Sequence, residues 1–235
     1  MEEGVENPTA EPESPLHAVR DIAEKWHPIK SAVRRLGKFA SPNRITASRL
    51  PFGAAAIALQ TISKTAATTV YTLNAILDWA DGAVARGVKN GQTVEGARLD
   101  PLVDKAVNMT TLAALVTQHI HDIEFCAAAA LSLIINIASQ AQRGPLGGQI
   151  KEAVRSVQSP ESCTPVSPEM NMKAIRANAW GKMKLILESV AIGTMMAFGD
   201  NQTAEISASI GLAVSALLGL VGVMKRGHQK TDGTK

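Results

Sequence analysis

DWADGAVARGVKNGQTVEGARLDPLVD, residues 78 to 104, sets Asp78, Asp81, Asp100 and Asp104 among alanine, valine and leucine. An ionised carboxylate loses several kcal/mol or more when it leaves water unpaired, so such a cluster calls for cations or hydrogen-bond donors close by. Residues three or four apart share a helix face. Asp78 and Asp81 therefore point together at the end of one helix, and Asp100 and Asp104 at the start of the next. The intervening loop joins those two ends, so an antiparallel helix pair would gather all four carboxylates. Hard divalent ions, Mg²⁺ or Mn²⁺, take oxygen ligands of this kind, and two of them can bridge several carboxylates and a diphosphate. Gly82 and Ala85 remove side-chain bulk where a phosphate-bearing ligand would approach the backbone, as Gly96 does on the opposite side, and Arg86 adds a permanent cation.

Outward from this stretch the chain is rich in small apolar residues. Apolar residues make up 46% of the 235 positions and aromatics 3%, in Ala, Leu, Ile and Val segments separated by short polar loops. Mean hydropathy is only +0.05, but Ala, Gly, Ser and Thr lower that average while suiting close helix packing in lipid. Six candidate spans lie near residues 45–62, 65–86, 99–118, 122–140, 174–198 and 203–224. Lys and Arg concentrate in alternate connections: the N-terminal region, the 86–98 and 141–173 loops, and the C-terminal tail. That alternation predicts both termini, and the aspartates, at the cytoplasmic face of a cell membrane. The expected fold is thus an all-α integral membrane protein of six transmembrane helices.

Ahead of the first span, Leu16, Val19, Ile22, Trp26, Ile29, Val33 and Leu36 recur at steps of three or four, with most Lys and Arg elsewhere. Residues 15–40 read as a basic amphipathic helix lying on an anionic membrane surface, kinked at Pro28. Residues 1–14, acidic and Pro-containing, read as a disordered tail rather than a cleavable signal peptide. The expected organisation is completed by a membrane domain over 41–226 and a tail over 227–235. The 141–173 connection reads as a mobile loop around a short helix at 149–157. Cys126 and Cys163 match neither a disulfide framework nor a metal-ligand spacing.

The string Asp78-x-x-Asp81-Gly82-x-x-Ala85-Arg86, nine residues, then Gly96-x-x-x-Asp100-x-x-x-Asp104 resembles the signature of the CDP-alcohol phosphatidyltransferases. Pro42-Asn43-x-x-Thr46-x-x-Arg49 and Gly181-Lys182-x-Lys184 extend the likeness, and the words DWADG and LDPLVDK look most like phosphatidylglycerophosphate synthases. The resemblance implies a six-helix membrane enzyme that moves a phosphatidyl-type group from a CDP-linked lipid to an alcohol and releases CMP. On that likeness Asp78, Asp81, Asp100 and Asp104 would hold two divalent metals, with Asp104 also the base for the acceptor hydroxyl. Gly82, Ala85, Arg86, Asn43 and Thr46 would border the CDP moiety, and Arg49 lies beside them. The chain would act as a homodimer in the bilayer, with no nucleic-acid partner.

Glycerol 3-phosphate is the favoured acceptor; inositol phosphate and other alcohols share the same metal chemistry. Arg143, Lys182 and Lys184 are the candidate cations for an acceptor phosphate, although each alone also reads as a solvated or snorkelling side chain. His119, His121 and Asp122 read as a solvated outer turn. A membrane cation transporter would account for the aspartates but not for Gly82, Ala85 and Arg86 in phase beside them. Prenyl-diphosphate enzymes usually carry adjacent Asp-Asp pairs, which this chain lacks.

Overall fold

The computed structural model describes Arg35 and residues 41–87, 93–160, 163–164 and 179–232, and these are helical throughout apart from turns and short links. In chain order they are α1 (Pro42–Gln60), α2 (Lys64–Gly87), α3 (Val94–Gln118), α4 (Ile123–Ala141), α5 (Leu146–Gln158), α6 (Ala179–Phe198) and α7 (Gln202–Asp232). The expected N-terminal tail and, save Arg35, the amphipathic segment lie outside the described residues, as do residues 165–178.

Local chemistry sets several of these ends. Pro42 begins α1 at a position where its missing N–H costs nothing. Thr93 caps α3 by accepting the Gly96 N–H at 3.0 Å, with Glu95 favourably placed in the first turn. Gly144 turns the chain between α4 and α5 with φ +118°, a backbone region that favours glycine. α7 runs on to Asp232, through most of the stretch expected as a tail.

The long helices fall at the six positions that the apolar segments pointed to. Two stretches, Ile123–Ala141 and Gln202–Met224, are long and apolar enough to cross a membrane; the other long helices carry more polar residues. Beside an apolar core, the bundle buries many polar side chains and exposes many large apolar ones. Asp81, Arg49, Lys184, Glu188, Asn74, Asn108 and Asn136 are buried, whereas Ile62, Ile123, Ile134, Val190, Phe198 and Leu217 stand in the open. Exposed apolar surface on this scale marks contact with something other than water.

Two groups of helices share one core. α1 packs on α2 and α3, while α7 packs on α4 and α6, and the groups are joined by α2 against α6 and by α3 against α4 and α6. Leu112, Leu115, Phe125, Ile192, Met195 and Leu212 fill the centre. Small residues allow close approach: a Cβ on Gly53 would lie 3.1 Å from a Val107 methyl, and one on Gly219 would lie 2.6 Å from Ile135. An antiparallel α2–α3 pair does not form as expected. Instead α1 lies between them, packing on both, and α2 meets α3 mainly through the hydrogen bond from Tyr71 to Asn108 at 3.0 Å. The physical reason is on α1 itself, which brings the polar partners that the two acidic helix ends need.

Candidate active site

Thr46 and Arg49 are one turn apart on α1 and project from the same face. The Thr46 hydroxyl lies 2.7 Å from Asp81 Oδ2 and 3.1 Å from Asp100 Oδ1. Arg49 Nη1 lies 2.6 Å from Asp78 Oδ1 and 2.7 Å from Asp104 Oδ1. All four aspartates therefore meet, as their spacing predicts, but around α1 rather than in a direct contact of α2 with α3. Arg49 is itself buried, and Asn74 fixes it by accepting from Nε at 3.3 Å and donating to its backbone carbonyl at 3.1 Å.

The electrostatics of the cluster leave room for more positive charge. A hydroxyl carries one proton, so Thr46 can satisfy only one of its two carboxylate neighbours at a time. Asp104 Oδ1 is close enough to Arg49 for an ion pair, yet it is buried and out of line for a hydrogen bond. Asp81 is 3% exposed, whereas the Asp78 side chain is 38% exposed, so the cluster opens to its surroundings on the Asp78 side. An all-oxygen donor set with too few donors fits a hard divalent cation.

The remaining predicted residues divide. Gly82 and Ala85 lie on α2 within a turn of Asp81, both partly buried. Arg86 is in the last turn of α2, and its side chain lies outside the described residues. Asn43 is buried beneath α5, donating to the Ser156 carbonyl at 3.5 Å and to Cys163 Sγ at 3.7 Å. Gly96 faces Asn43 rather than an open ligand path, since a Cβ there would lie 2.6 Å from Asn43 Oδ1. Arg143, half-buried, follows α4, and Lys182 is exposed near the start of α6.

Lys184 is buried inside the bundle, donating at 2.9 Å to both Asn136 Oδ1 and Glu188 Oε2. Glu188 also accepts from Asn136 at 2.7 Å, from Ser132, and from Asn108 at 3.5 Å. Tyr71 completes the chain by donating to Asn108 at 3.0 Å. Sequence reasoning passed over Glu188, although its place four residues after Lys184 in an apolar helix was a legible signal for a paired charge. His119, Asp122 and Glu205 converge at the other end of α3, within 4.8 Å of one another, with His119 Nδ1 3.1 Å from Asp122.

Residues 39–150 match the family model described as CDP-alcohol phosphatidyltransferase. A relative from Arabidopsis thaliana, named CDP-diacylglycerol–glycerol-3-phosphate 3-phosphatidyltransferase 1, chloroplastic/mitochondrial, is 30% identical over 146 residues. That alignment takes in 62% of this chain and 45% of the relative, so the chain spans under half of the relative's length. The matched region contains the whole aspartate cluster together with Thr46 and Arg49.

Proposed function

We propose that the protein transfers a phosphatidyl-type group from a CDP-linked lipid to an alcohol, releasing CMP, as a step of phospholipid synthesis. The observation that carries this is the meeting of Asp78, Asp81, Asp100 and Asp104 around Thr46 and Arg49. Asp78, Asp81, Asp100 and Asp104 would hold two Mg²⁺ or Mn²⁺ ions. When bound, such ions neutralise diphosphate charge and favour departure of CMP. Asp104 takes the proton of the acceptor hydroxyl as the new oxygen–phosphorus bond forms and the bond to CMP breaks. Thr46 and Arg49 keep the carboxylates in place, and the small Gly82 and Ala85, with Arg86 and Asn43, border the CDP moiety.

The acceptor we favour is glycerol 3-phosphate, which the name of the Arabidopsis relative supports. Arg143 and Lys182 are the cations for its phosphate; Lys184 would have to leave Glu188 and Asn136 to join them. The arrangement extends to six spans with both termini cytoplasmic and the carboxylates near the cytoplasmic face. Purified protein supplied with CDP-diacylglycerol, Mg²⁺ and a panel of acceptors should release CMP fastest with glycerol 3-phosphate. No CMP with any acceptor would overturn the transferase reading, and a preference for inositol phosphate or an uncharged alcohol would overturn only the acceptor.

A further inference from the structure

α5 presents three chemically distinct faces. Ala153 and Val157 pack against the core and Ser156 is buried. Leu146, Ile150 and Val154, at helical steps of four, form a stripe that is 53%, 48% and 48% exposed. Lys151 and Arg155 follow Ile150 and Val154 by one residue each, which puts them about 100° further round the helix, exposed along the edge of the stripe. An apolar stripe edged by cations is the pattern of a helix lying in a membrane interface.

The position of α5 agrees with that pattern. α4 is apolar enough to cross a membrane, and only Gln142 to Pro145 separate its end from α5. The corner is pinned by a hydrogen bond between Gln140 and Gln149 and by Gln149 donating to the Gly144 carbonyl at 2.7 Å. α5 is therefore held at the depth where α4 ends. Its inner side ties to the helices that carry the site: Glu152 pairs with Arg98 at 2.6 Å, and the Ser156 and Val157 carbonyls accept from Asn43 and Arg44.

We propose that α5 lies in the membrane interface beside the active site, with Leu146, Ile150 and Val154 among acyl chains and Lys151 and Arg155 on anionic lipid head groups. This rests on the membrane part of the reading above, not on the transferase chemistry. A second copy is a poorer occupant, because three half-exposed aliphatic side chains fall far short of the roughly 800 Å² per partner of a stable interface.

The test uses the full chain with Cys126→Ala and Cys163→Ala, in vesicles of zwitterionic lipid with and without an anionic lipid. Single nitroxide labels are placed through Ile150→Cys, Val154→Cys, Arg155→Cys or Gln158→Cys. Collision of each label with oxygen and with a water-soluble nickel chelate is read by power saturation. Labels at 150 and 154 should favour oxygen, at a depth of about 5–10 Å, and labels at 155 and 158 should favour nickel. Adding Lys151→Gln and Arg155→Gln to the chain labelled at 150 or 154 should move that label toward water in the anionic vesicles. Should the cysteine-free chain misfold, Ile150→Trp in the parent chain, quenched by shallowly brominated lipid and read as the difference from the parent with its Trp26, Trp79 and Trp180, reports the depth of position 150. Equal nickel access at 150 and 155 would overturn the proposal, as would exclusion of both reagents at 150 and 154, which would mean protein covers the stripe. A depth indifferent to the two charges would overturn the role of anionic lipid. CMP release plays no part in these readouts, so loss of activity and loss of interfacial insertion remain distinguishable.

Discussion

Arg49 and the divalent ions assigned to the site compete for the same carboxylates, and that competition can be measured. Removing one partner of a buried ion pair costs about 3–5 kcal/mol, because the other charge is left uncompensated. Arg49 serves two carboxylates through one nitrogen, at 2.6 and 2.7 Å, with its own side chain 7% exposed, so Arg49→Ala belongs in that range when metal is withheld. For a helical domain of this size the loss corresponds to a fall in Tm on the order of 10 °C. Added Mg²⁺ should then restore more stability to the variant than it adds to the parent, since it meets a cluster carrying one more uncompensated negative charge. The assay is thermal unfolding of detergent-solubilised protein in EDTA and across a Mg²⁺ titration, for parent and variant together. A Mg²⁺-dependent Tm increment equal in the two proteins would refute the competition, and an unchanged Tm in EDTA would refute the structural weight given to Arg49.

Turnover should vanish in excess EDTA and return with Mg²⁺ or Mn²⁺; full activity in metal-free buffer would remove metals from the site. Asp81→Asn should lower the rate at least about 100-fold while the protein still inserts, and a near-normal rate would exclude Asp81 as a ligand. Glu188→Leu and Lys184→Met should each destabilise by about 3–5 kcal/mol, with the double variant losing far less than their combined effect; additive losses would show the pair is not coupled. Gly96→Ala should destabilise by about 1–3 kcal/mol because its new Cβ meets Asn43 at 2.6 Å, and unfolding measurements that find no change would disprove the contact. Arg143→Gln or Lys182→Gln should raise the KM for the acceptor more than that for the CDP-lipid, and an unaltered acceptor KM in both would abolish the proposed phosphate site.

The convergence of the four aspartates was legible because helical spacing alone puts each pair on one face and a loop returns the chain to the same end. What spacing does not encode is which helix stands between two others. Thr46 and Arg49 sit in the first turns of α1, where polar side chains also suit a membrane boundary, so their role as the bridge was ambiguous until packing placed them. For Glu188 the spacing from Lys184 was legible but the rest was not, because its partners Asn108, Ser132 and Asn136 come from other helices. The positions of the long helices were legible from the apolar segments, even though Ala, Ser and Thr depress their hydropathy. Apolar length alone singles out only α4 and α7.

The family match ends at residue 150, yet the residues that steady the cluster continue beyond it. Asn108 lies one turn from Asp104 on α3, and it donates at 3.2 Å to Ser189 and at 3.5 Å to Glu188, both on α6. Glu188 is held in turn by Lys184 and by two side chains of α4, and the Lys184 stem fits where Gly219 of α7 leaves space. Ser156 on α5 accepts from Asn43 at the start of α1. The helix that carries Asp100 and Asp104 is thus anchored on one side by α1 and on the other by polar contacts from α6. α2 and α3 share little backbone packing, and the hydrogen bond from Tyr71 to Asn108 at 3.0 Å ties them directly. The gap between the two pairs of aspartates is set by that bond together with what holds α1, α2 and α3, and the anchors from α5 and α6 belong to the part of the chain where the motif has already ended.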